Sequence, residues 1–246
     1  IATYNEQEKL EACLDSVIGW TDEIVIVDGG SSDQTIAIAS RYTTKIIRTN
    51  NPAIFHINKQ KALDQCRGEW ILQLDADEVV NNSLREEIVT LIRSSPVEAG
   101  YAIPRKNYFA GHWLSKGGQY PDYVIRLFRN GKGSFPAKHV HEQIQIDGQV
   151  GTLRQPLLHY SYASVAEYWR KAEVYTALTA QELSRKHTSG AVGGMLEYMV
   201  IKPIWTFFNI YLRHKGFVDG YWGFLFAWYS ALHHPIAYKK YLAGTV

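Results

Sequence analysis

The sequence predicts an α/β protein, with a mostly parallel sheet covered by helices and a helical extension at its C-terminal end. Three observations carry that expectation. In the first half, short runs of strand-formers alternate with helical patterns, the signature of strands returned by crossover helices. After Gly100, short strands punctuated by Gly and Pro take over. From Ser164 onward, apolar and aromatic residues recur at helical spacing.

Taken in order, Asn5 to Ile18 reads as a helix with Leu10, Leu14, Val17 and Ile18 on one face. Glu23 to Val27 is a buried-type strand that runs into the polar loop Asp28-Gly29-Gly30-Ser31-Ser32-Asp33. That loop opens a second helix through Ala39, with Ser or Asp available to cap its free N–H groups. Lys45 to Arg48 is a short strand, Ile57 to Cys66 a helix, and Trp70 to Leu74 a strand that ends in carboxylates. Ser83 to Ile92 is a helix closed by Ser94-Ser95-Pro96. Short strands are expected at Tyr101 to Pro104, Val124 to Phe128, Gln143 to Ile146 and Leu157 to Tyr160. Beyond them lies a helix with Tyr168, Ala172, Tyr175, Leu178 and Leu183 at helical spacing. Two aromatic stretches follow, Met195 to Tyr211 and Tyr221 to Leu232, split by Arg213-His214-Lys215-Gly216. Glu197, Lys202 and Pro203 interrupt the first and the second is short, so neither reads as a bilayer span. Aromatic and basic residues together suit either a membrane-surface element or a helical subdomain packed on the rest of the chain.

The 246 residues are enough for one large domain or a domain with an appendage. A net charge of +2 with 20% charged residues gives no global argument for nucleic acid. The two cysteines, Cys13 and Cys66, lack metal-ligand spacing and point to a reducing compartment. No signal peptide is visible, but the opening Ile1-Ala2-Thr3-Tyr4 resembles a strand cut short, so little follows from that.

The chemistry centres on Asp75-Ala76-Asp77-Glu78, three carboxylates at the end of a strand. Residues two apart on an extended chain point the same way, so Asp75 and Asp77 are expected to face one cavity. Two like charges that close need a cation or ligand to neutralise them. Hard oxygens beside a phosphate-bearing substrate suit Mg²⁺ or Mn²⁺. Thr3-Tyr4-Asn5-Glu6 and the Asp28 to Asp33 loop also follow strands, and ligands of open α/β sheets bind at strand carboxyl ends. All three loops are therefore expected at one edge.

Together these motifs resemble family 2 glycosyltransferases of the GT-A type. The nearer likeness is to the lipopolysaccharide core enzymes with T-Y-N-E, V-D-x-x-S-x-D-x-T and L-D-A-D-E. The likeness extends to Arg126-Leu127-Phe128-Arg129, Val140-His141-Glu142 and Leu158-His159-Tyr160-Ser161-Tyr162. It implies a Rossmann-like GT-A catalytic domain over residues 1–162, with the nucleotide-sugar half at about 1–100 and the acceptor half at about 101–162. Residues 163–246 would form the helical, aromatic-rich region.

The resemblance also implies site roles. Thr3, Tyr4 and Glu6 would line the nucleotide pocket, and Asp28 would hydrogen-bond the base, a helix-capping loop carboxylate being the alternative. Asp75 would stand near the ribose or the metal, Asp77 would ligate the metal, and His159 would complete its coordination. Asp33 suits either ligand contact or capping of its own loop. Glu78 could steady the loop, with a helix-start carboxylate as the simpler account. Glu142, oriented by His141, would take the acceptor proton, with Asp122 in reserve; a strand-end ion pair is the plainer account of Glu142. His139 and His141 are two apart and could share a face like a zinc pair, but His141 reads as orienting Glu142. Lys59 and, first among the arginines, Arg126 would answer the diphosphate.

The expected activity is inverting, metal-dependent transfer of a hexose, glucose by resemblance, from a UDP-linked donor to a saccharide or glycolipid acceptor such as lipopolysaccharide inner core. The divalent metal would be Mn²⁺ or Mg²⁺. The expected location is the cytoplasm, peripheral on the inner face of the cytoplasmic membrane. Transfer to a polyprenyl phosphate and non-catalytic nucleotide-sugar binding are the alternatives. A nucleotidyltransferase would need a glycine-rich, lysine-containing phosphate loop, which Ile1 to Lys9 lacks.

Overall fold

The computed structural model describes residues 1–52, 54–136, 143–185 and 191–244. The chain divides into two compact units, Ile1–Arg105 with Asp122–His159, and Lys106–Pro121 with Tyr160–Val246.

The first unit begins with a parallel sheet of β1 (Ala2–Thr3), β2 (Ile26–Asp28) and β3 (Ile46–Arg48), in which β2 is central. Its connections are the helices α1 (Leu10–Asp15) and α2 (Thr35–Ala39). α3 (His56–Leu63) then leads to β4 (Trp70–Leu72). A parallel bridge from Ala2 to Asp75 brings the chain after β4 alongside β1. β5 (Glu78–Val79) and α4 (Asn82–Arg93) follow. α4 is stapled at its start, where the Asn81 side chain accepts from the Leu84 N–H at 2.9 Å and donates to the Pro156 carbonyl at 2.7 Å.

Next come β6 (Gly100–Phe109), β7 (His112–Trp113) and β8 (Asp122–Arg129), the separate pair β9 (Gly133–Ser134) and β10 (Gln145–Ile146), then β11 (Val150–Thr152) and β12 (Leu157–Tyr162). The second sheet is mixed and runs β4-β8-β6-β12-β5, with β7 and β11 also pairing with β6. Strands β8 and β6 pair antiparallel, while the parallel pairing predicted from the crossover helices is carried by β1 to β3. A register shift between Tyr101 and Ala102 skips Arg126, which makes Arg126 the extra residue of a bulge. A bulged residue is re-aimed out of the regular alternation, and that aim matters below.

The core of this unit joins Leu10, Leu14, Ile26, Leu84, Ile88 and Leu127. Val17 belongs to it as expected, but Ile18 is 48% exposed. The regular helix ends at Asp15, so the face extrapolated through Ile18 does not continue.

The second unit is organised around Phe109, whose ring meets Tyr168, Trp222, Phe226 and Tyr229 edge-on or nearly so at 5.4–6.3 Å. Its helices are α5 (Val165–Arg185), α6 (Ala191–Leu196), α7 (Lys202–Phe208) and α8 (Gly220–Leu242). Single π-helical turns, Glu197–Ile201 and Asn209–Arg213, flank α7. The buried stripe of α5 is Tyr168, Ala172, Thr176, Ala180 and Leu183. Tyr175 and Leu178, expected inside, are exposed, because a period of 3.6 keeps the four-residue series inward and rotates these two out. Lys240 of α8 reaches Glu173 at 2.6 Å and the Thr176 hydroxyl at 2.9 Å. A Cβ on Gly223 would stand 1.9 Å from the Gly216 carbonyl, so only glycine lets the turn close onto α8 there. Ile201, Ile204, Trp205, Phe208 and Leu212 follow one another at helical spacing and are all more than half exposed. Among the described residues, no helix is long and apolar enough to cross a membrane.

Candidate active site

The loops after β1 and β2 are built against each other. Gly29 N–H donates to the Thr3 carbonyl at 2.8 Å, and the Asn5 N–H donates to the Ser31 hydroxyl at 2.8 Å. The Ser32 N–H returns to the Asn5 side chain at 2.9 Å, while the Glu6 N–H donates to the Thr35 hydroxyl at 2.8 Å. Asp33 accepts from Thr35 and, at 3.2 Å, from the Gln7 N–H. It therefore caps its own loop, and although burial pushes its carboxyl up, the hydrogen bonds from Thr35 hold it below its ordinary value. Tyr4 is 45% exposed, which leaves a ring face open for stacking.

Asp28 is fully buried, and its own loop uses both oxygens. Oδ1 accepts from the Thr3 hydroxyl at 3.2 Å and the Ser31 hydroxyl at 2.5 Å. Oδ2 accepts from the Gly30 and Ser31 N–H groups, each at 2.9 Å. Glycine is required at Gly30 by its φ of +86°. At Gly29 a Cβ would crowd Asn51 at 3.3 Å and the Thr3 carbonyl at 3.4 Å, so the missing side chain lets three loops meet.

The carboxylates after β4 do not lie on extended chain. The Glu78 N–H donates to the Asp75 carbonyl at 3.0 Å, which closes a turn, and Asp75 and Asp77 go to different partners. Asp75 meets Lys59 at 2.5 Å and Arg126 at 2.6 Å. Burial pushes the Asp75 carboxyl up, but the charges of Arg126 and Lys59 outweigh it and hold the group well below the usual carboxylate range. Glu78 is fully buried; it accepts from Arg126 at 2.7 Å, from Arg105 at 3.3 Å and from the Asp75 N–H at 2.9 Å. Arg126 also donates to the Gln73 side chain. Arg105 in turn forks onto Asp122 at 2.6 and 3.0 Å. Asp77 is beside His159, Oδ1 to Nε2, at 3.5 Å; His159 is brought there because it pairs with Glu78 between β12 and β5.

Several expectations change accordingly. Arg126, read as the first cation for the diphosphate, is 7% exposed and holds Asp75, Glu78 and Gln73 from behind, because the bulge aims it inward. Asp75, expected near the ribose or the metal, meets Lys59 through Oδ1 and Arg126 through Oδ2. Glu78 is an interior ion-pair partner and not a helix-start charge. Lys59, read as a cation for the diphosphate, pairs with Asp75. Glu142, with His139 and His141, lies outside the described residues.

Asp77 and His159 offer one hard oxygen and one imidazole nitrogen, a donor set that fits Mn²⁺ or Mg²⁺ when phosphate oxygens and water supply the rest. Among the described residues no three His, Cys, Asp or Glu side chains stand close enough to hold a metal by themselves. An apolar cavity of about 390 Å³ opens among Ile1, Val17, Trp20, Trp70, Leu72 and Ile88. Neither Asp77 nor His159 lines it, but Lys59 and Gln73 do.

Sequence reasoning missed Arg105 and Gln73. Arg105 faces Asp122 directly across β6 and β8, a cross-strand pair that becomes visible only once the register is known.

A three-stranded parallel sheet, a mixed second sheet and an acidic turn after β4 fit a GT-A glycosyltransferase. The family model for glycosyl transferase family 2 matches residues 1–157. The chain is 30% identical to the lipopolysaccharide core biosynthesis glycosyltransferase LpsC of Rhizobium meliloti (strain 1021), over 94% of this chain and 88% of that protein. It belongs to glycosyltransferase family 2. An uncharacterized glycosyltransferase of Rickettsia bellii (strain RML369-C) is 25% identical over 92% of this chain and 79% of its own length. Among solved structures, the mannosyltransferase PcManGT from Pyrobaculum calidifontis, in complex with GDP-Man and Mn²⁺, superposes with a TM-score of 0.53. It is 13% identical and covers 98% of this chain and 85% of its own, a likeness of fold.

Proposed function

We propose that this glycosyltransferase moves a hexose, glucose in the first instance, from a UDP-linked donor to a saccharide acceptor of the lipopolysaccharide inner-core kind. Transfer is inverting and metal-dependent. The observation that carries the reading is the Asp77–His159 pair beside an Asp75 already fixed by Lys59 and Arg126. Likeness to LpsC supports the acceptor class. Asp77 and His159 would hold Mn²⁺ or Mg²⁺, which when bound neutralises the diphosphate and eases its departure as a Lewis acid.

The chain's own residues do the rest. Tyr4 offers a stacking face for the base, with Thr3 and Glu6 beside it, and Asp28 keeps the loop beneath in shape. Lys59, paired with Asp75 at 2.5 Å, is the cation this reading assigns to the diphosphate. The acceptor oxygen attacks the anomeric carbon from the face opposite the breaking bond to the diphosphate. Its proton passes to a carboxylate, which is Glu142 in this reading. Asp122 is the weaker choice because Arg105 already engages it. The exposed aromatic face of residues 201–212, next to Arg213 and Lys215, would rest on the headgroups of an anionic membrane.

The test is transfer from UDP-glucose to an inner-core oligosaccharide. Wild-type protein turns over, Glu142→Gln binds donor but loses at least about a hundredfold in turnover, the scale of general-base catalysis. Undiminished turnover in Glu142→Gln would move the base elsewhere.

A further inference from the structure

β6 and β7 pair antiparallel, with Tyr108 opposite Trp113. Side chains two apart on a strand share a face, so Lys106 and Tyr108 project together, on the side opposite Asn107 and Phe109. Asn107 and Phe109 are buried, and Phe109 is the hub of the helical core. The Lys106 face is a surface of rings. Tyr160 of β12 stacks on Tyr108 with centroids 4.8 Å apart, and Tyr120 meets Trp113 edge-on at 5.5 Å. Trp113 is 39% exposed and Tyr160 37%. All of these residues belong to the second unit.

A cation is fixed on the same surface. Lys106 Nζ is 4.4 Å from the centre of the Trp113 ring. Among the described residues Lys106 has no carboxylate partner, whereas its neighbour in sequence, Arg105, holds both Asp122 and Glu78. An ammonium over an indole is held in place without being neutralised, and it keeps its N–H donors. Flat aromatic faces suit the C–H face of a pyranose ring, and the ammonium adds a demand for negative charge. A lipid surface is the poorer match. The face of residues 201–212 mixes Ile201, Ile204 and Leu212 with its rings, whereas here the side chains are rings and a cation.

We infer that Lys106, Trp113 and Tyr160 form a subsite for an anionic sugar of the acceptor, its ring against the aromatic faces and its carboxylate or phosphate group on Lys106. The inference rests on the saccharide-acceptor reading above and adds one requirement to it, a negative charge on the acceptor.

The test is the KM of an inner-core oligosaccharide for wild type, Lys106→Met and Trp113→Ala. The same oligosaccharide is compared after reduction of its carboxyl groups and after removal of its phosphate esters, and UDP binding is followed by calorimetry in Mn²⁺. Lys106→Met keeps an aliphatic stem over Trp113 and removes the charge. In wild type, KM should rise about fivefold with one of the two treated acceptors, the scale of a half-exposed ion pair, and which one tells carboxylate from phosphate. Lys106→Met should show that rise with the untreated acceptor and no further rise on treatment, at unchanged UDP affinity. Trp113→Ala should raise KM for all three acceptors. Wild type that uses all three equally would overturn the inference whether or not the variants fold. A treatment penalty of the same size in Lys106→Met and wild type would overturn it as well. Weaker co-sedimentation of Lys106→Met with phosphatidylglycerol vesicles, at unchanged acceptor KM, would give the surface to a membrane instead. Wild type that binds UDP but does not turn over the untreated oligosaccharide would bring down the acceptor class proposed above, and this subsite with it.

Discussion

Arg126→Met separates two roles that one arginine cannot hold at once. In the structure Arg126 is an interior cation at 2.6 Å from Asp75 and 2.7 Å from Glu78, and Glu78 is fully buried. Removing one member of a buried ion pair costs about 3–5 kcal/mol, because the remaining charge is stranded in a poorly polarisable interior. Two contacts soften that cost here, since Glu78 keeps Arg105 at 3.3 Å and Asp75 keeps Lys59 at 2.5 Å. The lower end, about 3 kcal/mol, is therefore expected, which for a chain of this size lowers Tm by roughly 6–12 °C. Thermal unfolding followed by circular dichroism reads it, alongside UDP affinity at a temperature where the variant is folded. A Tm within about 2 °C of wild type, together with a large loss of UDP affinity, would refute the argument. Arg126 would then be a phosphate ligand, as its place in the sequence first suggests.

Two further outcomes are expected. Asp75 is held below its unfolded value by Arg126 and Lys59 against the push of burial, so its contribution to stability is present above about pH 3.9 and lost as pH falls through the folded value. Lys59→Met should move the acid limb of unfolding to higher pH, followed by tryptophan fluorescence; an unmoved limb would mean the Lys59 contact does not stabilise Asp75. For the exposed face, wild type should co-sediment with phosphatidylglycerol vesicles and Trp205→Glu should do so several-fold less, whereas wild type left in the supernatant would remove the membrane contact from the account.

Much of the first unit was legible because its signals are local. The strand-loop sequences at Thr3, Asp28 and Asp75 each follow a strand, and the bridge from Ala2 to Asp75 brings two of them side by side. The Asp77–His159 pair was legible only through resemblance, since nothing local in either stretch says that β5 and β12 are neighbours. The inward turn of Arg126 depends on a bulge, and the partner of Arg105 depends on register. Both are set by pairing between strands distant in sequence, which a local pattern does not encode. The backbone at Asp75 and Asp77 departs from the expectation for a simpler reason. The period-of-two argument assumes extended chain, and a hydrogen-bonded turn from Asp75 to Glu78 breaks it.

The central claim is that Asp77, with His159, forms a metal-linked donor site. Its most direct test is UDP binding by calorimetry to wild type and Asp77→Ala, each in Mn²⁺ and in EDTA. The account predicts binding by wild type in Mn²⁺ that EDTA removes, and little binding by Asp77→Ala in either condition. Equal UDP affinity in all four measurements would contradict it.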